Sequence, residues 1–152
     1  MSVNNISFIL HKPQLSENIG ACARGMKNFN FNKLIVIDPK PIFPNDKILA
    51  TSVGAKNIIN KAKNFENLEK SLQNIDVVIA IGSVIRGETS HFEFICQSTT
   101  NGIKDLNVIG KCPVILCLLT DNSLQQALDR SGGKYGNKGT EAAIAAIKMS
   151  FI

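Results

Sequence analysis

The sequence predicts an α/β fold: a three-layer sandwich around a mainly parallel sheet of four to five strands. Three observations predict it. Short β-branched apolar runs alternate with helically spaced segments along the whole chain. The run "DVVIAIGSVI" is continuously apolar, as a strand covered by helices on both faces must be. The chain of 152 residues, 44% of them hydrophobic, is also long enough for one ordinary domain that buries about 70% of its unfolded surface.

The elements follow in order. "ISFILHKP" and "KLIVIDP" read as strands, each stopped by proline, and "SENIGACARGMKNF" between them has helical spacing with Ser16 as its N-cap. After the turn-rich "PKPIFPND", a helix is predicted over 46–63, with Ile48, Val53 and Ile58 among its apolar positions and Gly54 weakening it. A short helix, "NLEKSLQN", leads into the strand "DVVIAIGSVI". A helix over 91–106 comes next, then Pro113 opens the strand "VILCLLT", and Asn122 or Ser123 caps "LQQALDR". The chain closes on "GTEAAIAAIKMSF", whose alanines and isoleucines suit close helix packing. No repeat, low-complexity tract or linker interrupts the pattern, so one compact α/β unit is expected. Ligands of such sheets collect at the carboxyl ends of the strands, where "SVIRGETSH" and "TDNS" fall.

Composition excludes several classes. No run approaches the roughly 18 apolar residues of a membrane span, and "MSVNNISFIL" lacks the basic start and long apolar core of a signal peptide, so a cytoplasmic protein with no membrane contact is expected. Cys22, Cys96, Cys112 and Cys117 have no C-x-x-C spacing and read as reduced thiols, so no metal site is expected. The net charge of +5 is unevenly placed: residues 1–75 hold ten Lys/Arg against five Asp/Glu, while residues 76–152 hold seven of each. The basic half points weakly to nucleic acid and equally suits a plain solvated surface.

The second half carries the chemistry. In "IRGETSH" a strand ends, Gly87 frees the backbone to turn, and a hydroxyl residue precedes a helix. The first N–H groups of that helix lack partners and carry partial positive charge, which favours an anion such as phosphate. His91, in the first helical turn, can move a proton to or from whatever that anion anchors; read blandly, it is a cap or surface residue and Arg86 a solvated charge. "DRSGGKYGNKG" places Arg130, Lys134 and Lys138 among four glycines, either a solvated turn with glycine C-caps or a flexible phosphate-binding loop. Together the two elements point to a small phosphorylated substrate.

These stretches carry a resemblance. Residues from about 76 to 152 resemble the C-terminal half of the lumazine synthases, through "DVVIAIGSVIRGETSHFEFIC", "CPVILCLLTDNSLQQALDRSGGKYGNKGTEAAIAAIKM" and the spacing between them. Those enzymes condense a ribitylamino-pyrimidinedione with a four-carbon ketone phosphate in riboflavin biosynthesis. The resemblance implies that the backbone of Ile81, Gly82, Ser83, Val84 and Ile85 lines a pyrimidine site. Glu88, Thr89 and Arg130 would hold the phosphate, with Gly87 beside them in the same substrate-binding turn. His91 would assist proton transfer, and Lys138 would lie near the active site at a subunit boundary of a pentamer-based homo-oligomer. No cofactor or metal is implied. Where the family carries an aromatic within a "PVIFG" pattern, this chain has Leu116 followed by Cys117, exchanging stacking for aliphatic contact at a cost of about 1 kcal/mol.

Residues 1 to about 75 match neither the family's N-terminal aromatic nor its "PGAxE" turn. They resemble instead the start of the SPOUT-superfamily RNA methyltransferases, through "FILHKPQLSENIGACARGMKNFNFNKLIVIDPK" and "NDKILATSVGAKNIINKAKNFENLEKSLQNID". That resemblance implies Asn18 and Arg24 as an RNA-side pair and a dimer; read from the residues alone, Asn18 is a cap and Arg24 an exposed side chain. The "GxExxG" and "SLN" signatures that mark S-adenosylmethionine binding in that superfamily are missing, so this cofactor is not expected in the family manner. Three functions follow: a lumazine synthase-like transferase, an RNA-binding methyltransferase-like protein, or an inactive hybrid of the two.

Overall fold

The computed structural model describes residues 5–72 and 74–151. The chain divides into two compact units, Met1–Gln73 and Asn74–Ile152. The α/β class and the parallel pairing are as the alternation predicts, and among the described residues the parallel strands form a three-stranded sheet in the first unit and a two-stranded one in the second.

The first unit contains β1 (Phe8–His11), α1 (Ser16–Asn28), β2 (Leu34–Ile37), α2 (Asp46–Thr51), α3 (Lys56–Lys61), β3 (Lys63–Phe65) and α4 (Leu68–Ser71). Its three strands pair in the order β1-β2-β3, all parallel. Ile19, Ala23 and Met26 recur at helical spacing on α1 and are buried with Leu34 and Val36 of β2, Ile48 of α2, and Ile58 and Ile59 of α3. Each large aliphatic so buried contributes about 1.5–3 kcal/mol. Gly20 lets α1 and α2 touch: a Cβ there would lie 2.8 Å from the Ile48 carbonyl oxygen.

Two local expectations change in this unit. Ser16 is the first helical residue rather than the cap: Leu15 precedes the helix without a capping side chain, and buried Ser16 accepts a hydrogen bond from Asn45 Nδ2 at 3.1 Å. The helix predicted over 46–63 is two short helices. Asn45 Oδ1 caps α2 by accepting from the Ile48 N–H at 2.9 Å. The chain then breaks at Gly54, whose φ of +75° leaves the helical region. Lys63 leaves the helix altogether for β3, and Val53, predicted apolar-facing, is 68% exposed. The segment predicted as helix over 67–74 includes Gln73, which lies outside the described residues; α4 is capped by Asn67 Oδ1.

The second unit contains β4 (Val78–Ile85), α5 (His91–Ile109), β5 (Val114–Asp121), α6 (Leu124–Asp129), β6 (Ser131–Gly133), β7 (Gly136–Asn137) and α7 (Lys138–Met149). β4 and β5 pair in parallel over eight residues, from Val78 opposite Val114 to Ile85 opposite Asp121. Helices α5, α6 and α7 all pack on this pair. The prediction of a strand covered on both faces fails for β4: Ile81 is 75% exposed and Ile85 42%, and with Ser83 between them they mark one face toward its carboxyl end that is left uncovered. α5 runs to Ile109 and stops at Gly110, a left-handed C-cap. Among the described residues, no helix is long and apolar enough to cross a membrane.

Candidate active site

The carboxyl ends of β4 and β5 open into two turns that Arg86 ties together. Its backbone N–H donates to the Asp121 carbonyl at 2.8 Å, extending the β4–β5 ladder by one bond. Its Nε donates to Asn122 Oδ1 at 2.7 Å, its Nη1 to Glu93 Oε1, and its guanidinium lies 4.5 Å from the Phe92 ring centroid. One side chain thus joins the end of β4, the first turn of α5 and the turn before α6. Arg86 is therefore an organised residue rather than a solvated charge. The hydrogen bond from Arg86 is the main cause that holds the Glu93 carboxyl below the ordinary carboxylate range.

Within the turn so held lie Gly87, Glu88, Thr89 and Ser90, followed by His91 as the first residue of α5; all are exposed. Ser90 caps α5 without a side-chain hydrogen bond, so the leading N–H groups keep the anion-favouring character expected of this helix start. Gly87 is not the hinge its sequence position implies: its φ is not positive, and a Cβ there would meet nothing within 4 Å. Ser123 is the residue that caps α6, accepting from the Gln126 N–H at 3.3 Å, while the Asn122 N–H donates to Gln126 Oε1 at 2.8 Å. Asp121 is 8% exposed, and its Oδ2 finds no partner among the described residues.

A second cluster forms around the segment 129–139, which is a small antiparallel hairpin, β6–β7, rather than a plain loop. Arg130 Nη1 donates to the Tyr135 carbonyl at 2.5 Å, and its Nη2 to Glu141 Oε1 at 2.9 Å. Lys138 Nζ lies 3.4 Å from Glu141 Oε2. Glu141 therefore bridges both cations, and the hydrogen bond from Arg130 is the main cause that lowers its carboxyl. Lys134 lies 5.1 Å from the Tyr135 ring centroid, outside this network. Buried Cys117, opposite Ile81 in the ladder, feels the charges of Lys138 and Glu141, though burial dominates and pushes its thiol up. The leucine that replaces the family's aromatic, Leu116, is 36% exposed and stands opposite Ala80.

Glu88, Thr89 and His91 thus share one turn, while Arg130 and Lys138 share one carboxylate. No hydrogen bond or ion pair joins the two groups among the described residues. Ile81, Gly82, Ser83, Val84 and Ile85 follow one another along β4 up to the turn. In the first unit, Asn18 and Arg24 are both exposed on α1. Six residues of helix set them about 9 Å apart along the axis and about 120° apart around it, so they do not converge on one face. Arg86, Glu93, Asn122 and Glu141 were not singled out from sequence as site residues, because their partnerships appear only on folding. Among the described residues, no three His, Cys, Asp or Glu side chains gather as a metal site.

Comparison with known proteins bears on both units. The sequence model of the 6,7-dimethyl-8-ribityllumazine synthase family matches residues 45–152, so the likeness begins inside the first unit rather than at residue 76. A 6,7-dimethyl-8-ribityllumazine synthase of Flavobacterium johnsoniae is 50% identical over 139 residues, covering 91% of this chain and 69% of that protein. One of Flavobacterium psychrophilum is 68% identical over 80 residues, covering 53% of this chain and 42% of its own length. The chain thus spans only part of these relatives. In fold, it is similar to the solved structure of a probable methyltransferase from Bordetella pertussis Tohama I, with a TM-score of 0.51 at 16% identity, covering 98% of this chain and 94% of that one.

Proposed function

Because the chain belongs to the 6,7-dimethyl-8-ribityllumazine synthase family, we propose that it performs that family's transferase reaction through its second unit. The reaction condenses 5-amino-6-(D-ribitylamino)uracil with 3,4-dihydroxy-2-butanone 4-phosphate to give 6,7-dimethyl-8-ribityllumazine in riboflavin biosynthesis. The observation that carries the reading is the Arg86-held turn, which sets His91 and a helix start without a side-chain cap bond beside the exposed end of β4.

In this reading the helix start, Glu88 and Thr89 receive the ketone phosphate, with Arg130 released from Glu141 to join them. The β4 backbone from Ile81 to Ile85, with Leu116 alongside, takes the pyrimidine. His91 shuttles protons during Schiff-base formation, phosphate loss and ring closure. Lys138 stands at a subunit boundary of a homo-oligomer in the cytoplasm. The chemistry calls on no cofactor. The ancestry proposed with it is a hybrid whose start, ahead of the matched residues 45–152, derives from the SPOUT methyltransferase side.

Steady-state kinetics of the full chain test the reading. His91→Ala is expected to lower kcat by about a hundredfold. Arg130→Ala is expected to raise KM for the ketone phosphate about ten- to a hundredfold, the worth of a charge-assisted hydrogen bond. Two folded variants with wild-type kinetics would overturn the assignment of roles.

A further inference from the structure

One buried carboxylate of the second unit has no part in the roles assigned above. Asp121, the last residue of β5, is 8% exposed, and its Oδ2 has no hydrogen-bond partner among the described residues. From its surroundings we infer that Asp121 is a further catalytic residue of the proposed condensation, holding the positive charge that appears on nitrogen when the amine joins the ketone, a role that rests on the lumazine reading.

The cations around this side chain are engaged elsewhere. Arg86 comes close, since its backbone N–H donates to the Asp121 carbonyl at 2.8 Å, but its guanidinium is turned to Asn122 Oδ1 and Glu93 Oε1. Lys138 acts on Cys117, four residues or about 13 Å back along β5, and pairs with Glu141. Among the described residues no ion pair reaches Asp121. A carboxylate withdrawn from water without a partner is costly, and such a local violation marks a functional site more often than a structural one.

Register gives the side chain its direction. Asp121 is paired with Ile85, Leu119 with Ser83 and Cys117 with Ile81, and residues paired in a ladder share one face of the sheet. That face is the uncovered one, where Ile81 and Ile85 are exposed, and at its end β4 runs into the turn that carries His91. Asp121 therefore borders both the strand surface assigned to the pyrimidine and the turn assigned to proton transfer. Charge there is unbalanced: across residues 85–93 and 119–122, Arg86 is the one fixed cation against Glu88, Glu93 and Asp121. Such a place favours a ligand group that becomes positive.

The condensation makes one. The amine nitrogen bonds to the ketone carbon, and the carbonyl oxygen leaves as water after taking one proton from the amine and one from His91. The C=N–H group that results carries a positive charge until its remaining N–H proton is lost, leaving the neutral imine. While charged, it donates that N–H to Asp121 Oδ2, and a carboxylate already fixed and shielded from water stabilises it without reorganisation.

Two measurements on the full chain test the role. In steady-state kinetics, Asp121→Asn is expected to lower kcat for lumazine formation about ten- to a hundredfold while KM for the ketone phosphate stays within about twofold. Its denaturant midpoint is expected to equal or exceed that of the unsubstituted chain, whereas a purely structural carboxylate would lower it on removal. Calorimetry reads the same charge without turnover and without a variant: 2-aminoethyl phosphate, whose ammonium stands in for the charged nitrogen, is expected to bind about tenfold more tightly than propyl phosphate. Asp121→Asn is expected to abolish that preference. Equal affinity for the two phosphates, a preference that survives in Asp121→Asn, or binding of neither at millimolar concentration by folded protein overturns the inference. Lumazine formation with unchanged kcat in Asp121→Asn keeps the reaction and sinks the role, whereas an Asp121-dependent preference for the ammonium in a chain that makes no lumazine keeps the cation-holding carboxylate and sinks the reaction.

Discussion

Arg86 shows what a single residue contributes here and why sequence alone passes over it. Its partners lie seven residues away in Glu93 and 36 residues away in Asn122, so no local periodicity announces them. The pair with Glu93 is solvent-exposed and contributes little to stability alone. Its weight lies in fixing the turn that carries Glu88, Thr89 and His91, where a small displacement costs rate. Arg86→Met is therefore expected to lower kcat/KM for lumazine formation about tenfold while circular dichroism stays unchanged. Arg86→Lys should not restore it, since a point charge cannot serve Asn122, Glu93 and the Phe92 face together. Wild-type activity in Arg86→Met would return the residue to the solvated charges. The cysteines divide as well: burial raises the thiols of Cys22 and Cys117, so in the folded chain both are expected to react slowly with an alkylating reagent, as mass spectrometry of partially labelled protein would show.

At the scale of elements, the hairpin β6–β7 separates glycines that look alike in sequence. A Cβ on Gly133 would lie 2.8 Å from the Asp129 Cα and 3.0 Å from the Leu128 carbonyl oxygen, both backbone atoms that cannot swing aside. Gly133→Ala is expected to destabilise the chain by about 1–3 kcal/mol in denaturant titration, whereas Gly87→Ala, with open space around it, should be neutral. The hairpin is also pinned to α7 by Arg130 and Glu141. Glu93 and Glu141 both have carboxyls lowered from 4.5 in the folded chain, so the stability they bring is complete above that value and is lost as pH falls through their lower folded values. Glu141→Gln should accordingly lower stability slightly at neutral pH and match the unsubstituted chain in acid, where Glu141 is protonated, and so flatten the acid limb of the stability curve. The helix starts were partly legible for physical reasons: Ser123 caps by local chemistry that sequence displays, whereas α5 runs past the predicted 106 to stop at Gly110. Ser16 misled because its partner, Asn45, comes from another element.

The whole molecule repeats that contrast. Strand and helix identities were legible because their periods are local, and the parallel pairing followed from the alternation. The grouping of the described parallel strands into a three-stranded and a two-stranded sheet was not, since ladder partners are distant in sequence. An apolar run such as "DVVIAIGSVI" implies cover but does not name what covers it, and β4 keeps Ile81 and Ile85 exposed. The candidate site was legible as residue types, His91 and the cationic hairpin, and not as a network. Membership of the lumazine synthase family and a fold resembling a methyltransferase meet in one chain that spans 69% of one relative and 42% of another. The central claim is that this chain nevertheless catalyses lumazine formation. Incubation of the full chain with both substrates, following lumazine absorbance together with the ³¹P signal of released phosphate, tests it directly. The account predicts lumazine above the uncatalysed rate, with one phosphate freed for each lumazine formed; a folded chain that gives neither above background contradicts it.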